Sequence, residues 1–356
     1  MDVISNETLP LWFDYLEAAS SYSLMFVALI TVNLYWMEII ILLALRNSFY
    51  KGMFYRIFTI GIIVDMISLI NNYVGCVFPA KEWFIDYYLS LGTTVGHLYL
   101  IIAWTSRGIQ GCTVVALALN RATAVCLPVR HKRIWSSPWA PCIHIFQIGI
   151  GLMIGSALIP RSFYWKHERV GYYIQFEDKK FRLNFFLAAY LIESIFVTII
   201  VIINITMLVY FKKKYRMRTI NAAQKANYNR KVMSEKQRQE NSLTIVAIVT
   251  CVAELIYYLY VIYAFGINTN VPTRIFYMGY NLINDCYCSL SGWLFLISSA
   301  PMRKHIMKML KFPTQGCKNL KNLENNVSSA TNMDGYIRNS ARNTSARRVQ
   351  SFGTQF

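Results

Sequence analysis

Long apolar stretches separated by short polar ones dominate the chain. A run of about 18 or more apolar residues can cross ~30 Å of hydrocarbon as a helix. Seven such runs are present, at 22–45, 54–77, 97–120, 140–159, 183–210, 242–265 and 276–299. The fourth is short and rich in glycine, and the seventh contains Asn281, Asn284 and Asp285. The pattern predicts an all-α integral membrane protein whose seven transmembrane helices form one bundle.

The last apolar run is followed by a different pattern. Residues 302–312 place Met302, Ile306, Met309 and Leu310 on one helical face and basic residues elsewhere. Such spacing is typical of a short amphipathic helix in the membrane interface. The membrane domain is therefore expected to cover residues 22–312. Residues 313–356 are rich in Asn, Ser, Thr and Arg, which predicts a disordered cytoplasmic tail.

The basic residues predict the orientation of the bundle. Residues 1–21 contain no Lys or Arg, whereas 211–241 contain ten Lys or Arg and residues 300–356 ten more. Basic short loops stay in the cytoplasm, so the N-terminus is expected outside and 211–241 inside, as a continuation of the fifth and sixth helices. Six Lys or Arg at 160–182, predicted outside, are partly balanced by three acids.

Composition narrows the possible functions. The chain is 55% hydrophobic and only 15% charged, with a net charge of +18. The charges fall between the apolar runs, so they indicate membrane topology and contact with the lipid bilayer rather than a nucleic-acid partner. No catalytic constellation, phosphate-binding loop or metal-ligand spacing is present in the sequence. We therefore predict no enzyme activity, no metal and no cofactor.

Four charged residues lie near the middle of predicted helices. Arg107, Glu193, Glu254 and Asp285 each stand about ten to twelve residues from one end of their runs. A charge at that depth costs several kcal/mol unless it is paired or hydrated. The pattern admits a polar ligand pocket with counter-ions, or a structural ion pair with protonated acids. A third possibility is a seven-span transporter or cation channel that uses Asp65, Glu193, Glu254 and Asp285; a structural membrane protein is a fourth.

The stretch from Leu117 to Trp135 is the most specific motif. It reads LALNRATAVCLPVRHKRIW, with Asn120-Arg121 at the inner end of the third helix and Pro128 seven residues after the arginine. This order resembles the Asp-Arg-Tyr region of seven-helix G-protein-coupled receptors. The fuller string is similar to the nematode serpentine receptor class gamma family of candidate chemoreceptors. An arginine at this boundary is expected to extend its side chain toward water.

This resemblance implies a function. It predicts a receptor that binds a small-molecule chemical cue from outside and signals to a heterotrimeric G protein, in a cell membrane and specifically the ciliary membrane of sensory neurons. It implies ligand contacts by Arg107, Glu193, Glu254, Asp285, Tyr258 and Tyr280, within an aromatic wall that also includes Tyr99, Trp104, Tyr257 and Tyr277. It implies G-protein coupling by Asn120, Arg121 and Pro128. Asp65 resembles the ion-site carboxylate of the second helix, although a hydrogen-bonded structural acid is the alternative.

The sequence also departs from the larger receptor class. The 160–182 loop has no cysteine, and the expected partner position near Gly96 has none either, so the usual bridge is absent. The Asn-Pro-x-x-Tyr motif is replaced by residues 291–295, SGWLF. Two modification sites complete the predictions: Asn6 in a glycosylation sequon and Cys317 as a palmitoylation site.

Overall fold

The computed structural model describes residues 10–168, 171–222, 230–263 and 273–311. Within them lie eleven α-helices and a two-stranded antiparallel sheet. The helices are α1 (Leu11–Ala44), α2 (Met53–Asn72), α3 (Phe78–Ala80), α4 (Ile85–Ser90), α5 (Thr94–Cys126), α6 (Pro128–Trp135), α7 (Cys142–Ser156), α8 (Lys179–Ala222), α9 (Arg230–Ile262), α10 (Thr273–Ser298) and α11 (Ala300–Lys311). The strands are β1 (Phe163–Glu168) and β2 (Gly171–Phe176).

The seven predicted membrane helices correspond to α1, α2, α5, α7, α8, α9 and α10. Among the described residues, five helices are long and apolar enough to cross a membrane, and α7 is a shorter apolar helix. The remaining helix, α10, has 26 residues but carries polar side chains, as the seventh run of the sequence does. The seven-helix bundle is therefore confirmed. We call the end that carries Arg121, α6 and α11 the inner end, and the end that carries the β1–β2 hairpin the outer end.

The first helix begins earlier than predicted. It begins at Leu11 rather than at residue 22, so the helix includes residues 11–21, which were predicted to belong to the N-terminal segment before it. Hydropathy detects only the apolar part of a helix, and the added turns are held by ion pairs. Arg274 lies 2.6 Å from Asp14, and Lys81 lies 2.7 Å from Glu17, which Arg274 also contacts. These pairs join the outer ends of α1, α3 and α10.

The outer end of the second helix contains a wide turn. A five-residue π turn, Tyr73–Val77, separates α2 from α3. Pro79 follows directly, and because proline has no backbone N–H, a regular α-helical bond is lost there. The wide turn orients Tyr73 toward α10, where its hydroxyl donates to Asp285 Oδ2 at 2.5 Å.

The fourth span packs against α5 through small residues. A side chain at Gly108 would lie 2.8 Å from the Gly151 Cα, and one at Gly155 would overlap Thr105 Oγ1. Glycines at these positions let the two backbones approach closely, as small residues do in membrane bundles. The glycines that weakened the hydropathy of this run therefore explain its packing.

The main apolar core lies toward the inner end. It is built from α1, α2, α5, α10 and α11, with Phe58 and Phe295 fully buried and their ring centroids 4.7 Å apart. The amphipathic helix α11 joins this core through Met302 and Ile306, as predicted, but Leu310 is exposed. His305 is also buried, beside the Tyr50 hydroxyl at 3.3 Å. Burial, followed by the charge of Lys308, lowers the pKa of His305.

The 160–182 loop folds as a hairpin. Its strands pair from Phe163–Phe176 to Glu168–Gly171. Trp165 Nε1 donates to the Gly92 carbonyl at 2.8 Å, and His167 lies 3.0 Å from Glu82. Ile174 covers Gly96, which lies where the usual bridge would have its partner cysteine, so closely that a Cβ there would lie 2.5 Å from Ile174 Cδ1. Packing thus holds the hairpin against α5 where a bridge is absent.

The inner extensions of two helices agree with the sequence. Helix α8 continues to Ala222, and α9 begins at Arg230, so the predicted continuation of the fifth and sixth helices is confirmed. Three other predictions lie outside the described residues: glycosylation of Asn6, palmitoylation of Cys317 and disorder of 313–356.

Candidate functional site

A cavity of about 180 Å³ lies inside the outer half of the bundle. It is bounded by α2, α5, α8, α9 and α10, and Phe176 of the hairpin contributes to its wall. Eight aromatic side chains line it: Tyr99, Trp104, Phe176, Phe186, Tyr190, Tyr257, Tyr277 and Tyr280. The polar and charged lining residues are Ser68, Asn71, Asn72, Arg107, Gln110, Glu193 and Asn284. Mostly aromatic walls with a few polar groups are typical of small-molecule sites.

One cation and two acids form a cluster on the wall of this cavity. Arg107 Nη2 lies 2.5 Å from Glu254 Oε1, and Nη1 lies 3.5 Å from Glu254 Oε2, so both guanidinium nitrogens face one carboxylate. Arg107 Nη2 also contacts Glu193 Oε1. Because Arg107 lies on α5, Glu193 on α8 and Glu254 on α9, the cluster joins three helices.

The two acids of the cluster differ in exposure. The side chain of Glu254 is fully buried, whereas that of Glu193 is 14% exposed and lines the cavity. The guanidinium of Arg107 also stacks on the ring of Tyr257, 4.0 Å from its centroid, with Tyr287 at 4.9 Å. Carboxylates and aromatic faces therefore replace the water that a buried guanidinium loses.

Asp285 does not join the Arg107 cluster. It accepts hydrogen bonds from the Tyr73 hydroxyl at 2.5 Å and from Asn72 Nδ2 at 3.4 Å. Its face of α10 is turned toward α2, so equal depth along the helices does not bring it to Arg107. Asp285 is also absent from the residues that line the cavity, where Asn284 and Asn72 lie instead.

The two predicted tyrosines have different positions. Tyr280 lines the cavity, together with Tyr99, Trp104, Tyr257 and Tyr277 of the predicted aromatic wall. Tyr258 does not, because its hydroxyl lies 2.5 Å from Ser194 Oγ, between α8 and α9. Successive residues on a helix are rotated by about 100°, so Tyr257 faces the cavity and Tyr258 faces the neighbouring helix.

A second polar layer lies beneath the cavity. Gln110 Nε2 donates to Asp65 Oδ1 at 2.8 Å, and both residues line a space of about 20 Å³. Such a space is large enough for about one water molecule. Asp65 thus has the hydrogen-bonded environment of the structural alternative, and its role as an ion site stays a prediction.

The inner end of α5 differs from the expectation for its arginine. Arg121 is buried rather than extended to water, with Nη2 2.7 Å from Asn120 Oδ1 and its guanidinium 4.3 Å from the Phe54 ring. The ring of α2 offers a cation–π contact that sequence spacing does not reveal. Pro128 begins α6, where a missing N–H costs nothing. Trp135 Nε1 donates to Thr123 Oγ1 at 2.8 Å and ties α6 back to α5.

Several lining residues were absent from the sequence predictions. Gln110 stands one turn after Arg107 on the same helix face, and a polar residue at that spacing in an apolar run was a usable signal. Asn71 and Tyr190 had no such signal, because each adjoins the cavity only through the way its helix packs. Phe176 reaches the cavity from a hairpin that hydropathy did not predict.

The fold is the seven-transmembrane helical architecture of rhodopsin. The structure is similar to the crystal structure of squid rhodopsin, with a TM-score of 0.63 and 13% sequence identity over 91% of this chain and 95% of that chain. At this identity the likeness shows the fold alone.

The family is shown by the sequence itself. Residues 24–312 match the model of the family described as serpentine type 7TM GPCR chemoreceptor Srv, and the chain belongs to that family. The predicted family, class gamma, was therefore wrong, but the predicted kind of protein, a serpentine chemoreceptor, is confirmed. No curated protein matches the chain. The protein is a multi-pass membrane chemoreceptor, and neither comparison supports the transporter or channel alternative.

Proposed function

We propose that a small molecule from outside the cell binds in the 180 Å³ cavity and changes the Arg107 cluster. The observation that carries this proposal is the position of the cluster, which forms part of the cavity wall and joins α5, α8 and α9. A ligand that contacts Arg107 or Glu193 competes for interactions that connect three helices. Binding is therefore coupled to helix position, which is the requirement for a receptor.

The inner end of the bundle is the proposed site of G-protein coupling. Arg121 and Asn120 end the buried part of α5, Pro128 begins the basic helix α6, and α8 and α9 extend beyond the apolar core. We assign G-protein coupling to this surface, with Asn120, Arg121 and Pro128 as its centre. Displacement of α9, which carries Glu254, relative to α5 exposes the Arg121 end to a heterotrimeric G protein. We further propose that the receptor works in the ciliary membrane of sensory neurons, as expected of a chemoreceptor.

The test is nucleotide exchange by G proteins in membranes that contain the receptor, without added ligand. We expect basal exchange from the wild type and its loss in Arg121→Ala at equal surface expression. Arg46→Ala, which removes an exposed inner-end arginine, is the matched control and is expected to keep the activity. The proposal fails if Arg121→Ala leaves exchange unchanged. It also fails if no G protein responds while the chain carries a current that Glu254→Gln removes.

A further inference from the structure

We infer that the ligand of this cavity is a small organic cation, an amine with about one aromatic ring, and that Glu193 is its counter-ion. This inference rests on the proposed function, since it names the ligand class of the same site. It follows from the charge balance of the Arg107 cluster, the exposure of its members and the size and composition of the cavity.

The charge balance favours a positive ligand. Arg107 is always protonated, and Glu254 faces both of its terminal nitrogens from a fully buried position. Those two charges cancel. Glu193 is a second carboxylate on the same guanidinium, and Arg107 and Glu193 are the charged members of the cavity lining. With both carboxylates ionised, the described cluster therefore carries one negative charge in excess.

Exposure decides which acid meets the ligand. Glu254 is fully buried behind Arg107, whereas Glu193 is partly exposed and lines the cavity. An ammonium group can reach a Glu193 oxygen without breaking the Arg107–Glu254 pair. An anion meets the opposite situation. The guanidinium already contacts two carboxylates, and Tyr257 and Tyr287 lie against it, so an anion that approached Arg107 would lie beside Glu193 and add a further negative charge to the cluster.

The cavity walls fit the rest of such a ligand. Trp104, Tyr190 and Tyr280 line the same space as Glu193, and aromatic faces attract organic cations. The volume of about 180 Å³ is slightly larger than the roughly 150 Å³ of an apolar cavity that holds one benzene molecule. A single ring with a short ammonium arm therefore fits, and a fused polycyclic ligand does not without a change in the walls.

Three probes that share one skeleton test the charge preference. They are 2-phenylethylamine as the cation, 2-phenylethanol as the neutral analogue and phenylacetate as the anion. Binding is measured by the concentration-dependent rise in melting temperature of the purified receptor in lipid nanodiscs, which does not depend on a G protein. We expect the cation to stabilise the wild type and the other two probes to have little effect.

Variants test the counter-ion. Glu193→Gln keeps the side-chain shape and removes the charge, so it should weaken the apparent affinity for 2-phenylethylamine by about tenfold to a hundredfold. Glu193→Asp keeps the charge and should retain the preference for the cation over the alcohol. Asp86→Asn removes an exposed acid of α4 and should behave as the wild type. A cooperative melt without ligand shows that each variant is folded.

Three outcomes overturn the inference. They are a stronger effect of phenylacetate or 2-phenylethanol than of the amine, unchanged amine binding in Glu193→Gln, and no stabilisation of the folded wild type by the amine. The proposed function has its own test in the Arg121→Ala exchange assay. If Arg121→Ala abolishes exchange as expected but any of these three outcomes is observed, the inference of a cationic ligand is wrong and the proposed receptor function still stands.

Discussion

A single arginine contacts two acids in the middle of the bundle. Arg107 contacts Glu193 and Glu254 on two other helices and the ring of Tyr257, so it has partners on several sides. A buried ion pair is weak evidence of net stabilisation, because desolvation offsets the attraction. Removal of one partner is strongly destabilising, because the remaining charges stay buried without a counter-ion.

Arg107→Gln should therefore destabilise the receptor strongly. The change leaves Glu193 and Glu254 close together without a cation, and we expect the free energy of unfolding to fall by about 3 kcal/mol. Thermal melting of the purified receptor measures the change. Arg46→Gln, which removes an exposed arginine near the inner end of α1, is the control and should leave the melting temperature unchanged. Equal melting temperatures for the two variants would show that the cluster does not hold the helices together.

The charged residues were visible in the sequence, but their pairing was only partly so. Arg107, Glu193 and Glu254 stand out because apolar runs rarely contain charges. Depth along a helix follows from counting residues, whereas the face that a residue presents depends on how the helix is rotated in the bundle. For this reason Asp285 has the expected depth but pairs with Tyr73 and Asn72, and Tyr258 points to Ser194 while Tyr257 reaches the cavity.

At the scale of elements, the β1–β2 hairpin is the least predictable part. The surrounding 160–182 loop contains six Lys or Arg and three acids, so its sequence was interpreted as a charged extracellular loop rather than as a pair of strands. The hairpin nevertheless contributes Phe176 to the cavity and rests on α5 through Ile174 and Gly96. The start of α1 at Leu11 and the π turn after α2 could not be predicted from the sequence either. Hydropathy indicates which residues lie in lipid, and it does not indicate helical geometry.

Gly96→Ala should loosen the hairpin. The new Cβ would lie 2.5 Å from Ile174 Cδ1 and 3.1 Å from its Cβ. Ile174 Cγ1 also lies 2.8 Å from the new Cβ, so rotation of the end of the side chain relieves only part of the overlap and the strand itself must shift. We expect amide hydrogen exchange in 163–168 and 171–176 to become about tenfold faster, since local opening becomes easier.

A second change distinguishes this contact from a general loss of stability. Ile174→Ala removes the Ile174 Cγ1 and Cδ1 atoms that overlap the new Cβ, so the Gly96→Ala, Ile174→Ala double variant should exchange more slowly than Gly96→Ala alone. Gly149→Ala on α7 is the control, because a Cβ there has no neighbour within 4 Å. Equal rates of amide hydrogen exchange in Gly96→Ala and Gly149→Ala would show that the contact between Gly96 and Ile174 does not hold the hairpin against α5.

At the scale of the whole molecule, α5 connects the two proposed functional ends. Arg107 and Arg121 lie on this helix, about 21 Å apart for a rise of 1.5 Å per residue. The first contacts acids of α8 and α9 near the cavity, and the second lies beside Phe54 of α2 at the inner end. The seven-helix order was predictable because lipid imposes it on the sequence, whereas this connection depends on which faces of the helices meet.

The connection predicts how two substitutions combine. Glu254→Gln weakens the bond between α5 and α9, so α9 is displaced more often in the absence of ligand. We expect basal G-protein nucleotide exchange to rise about fivefold, which corresponds to the lower range of known couplings. Glu177→Gln, which removes an exposed acid after β2, should leave exchange unchanged.

The double variant Glu254→Gln, Arg121→Ala decides whether the two ends act in sequence. If the Arg107 cluster controls the exposure of Arg121, the loss of Arg121 removes the output whatever the state of the cluster. Exchange by the double variant should then fall to the level of Arg121→Ala alone, at equal surface expression. If the double variant instead keeps the raised activity, the cluster signals through another surface, and α5 does not connect the cavity to the G protein.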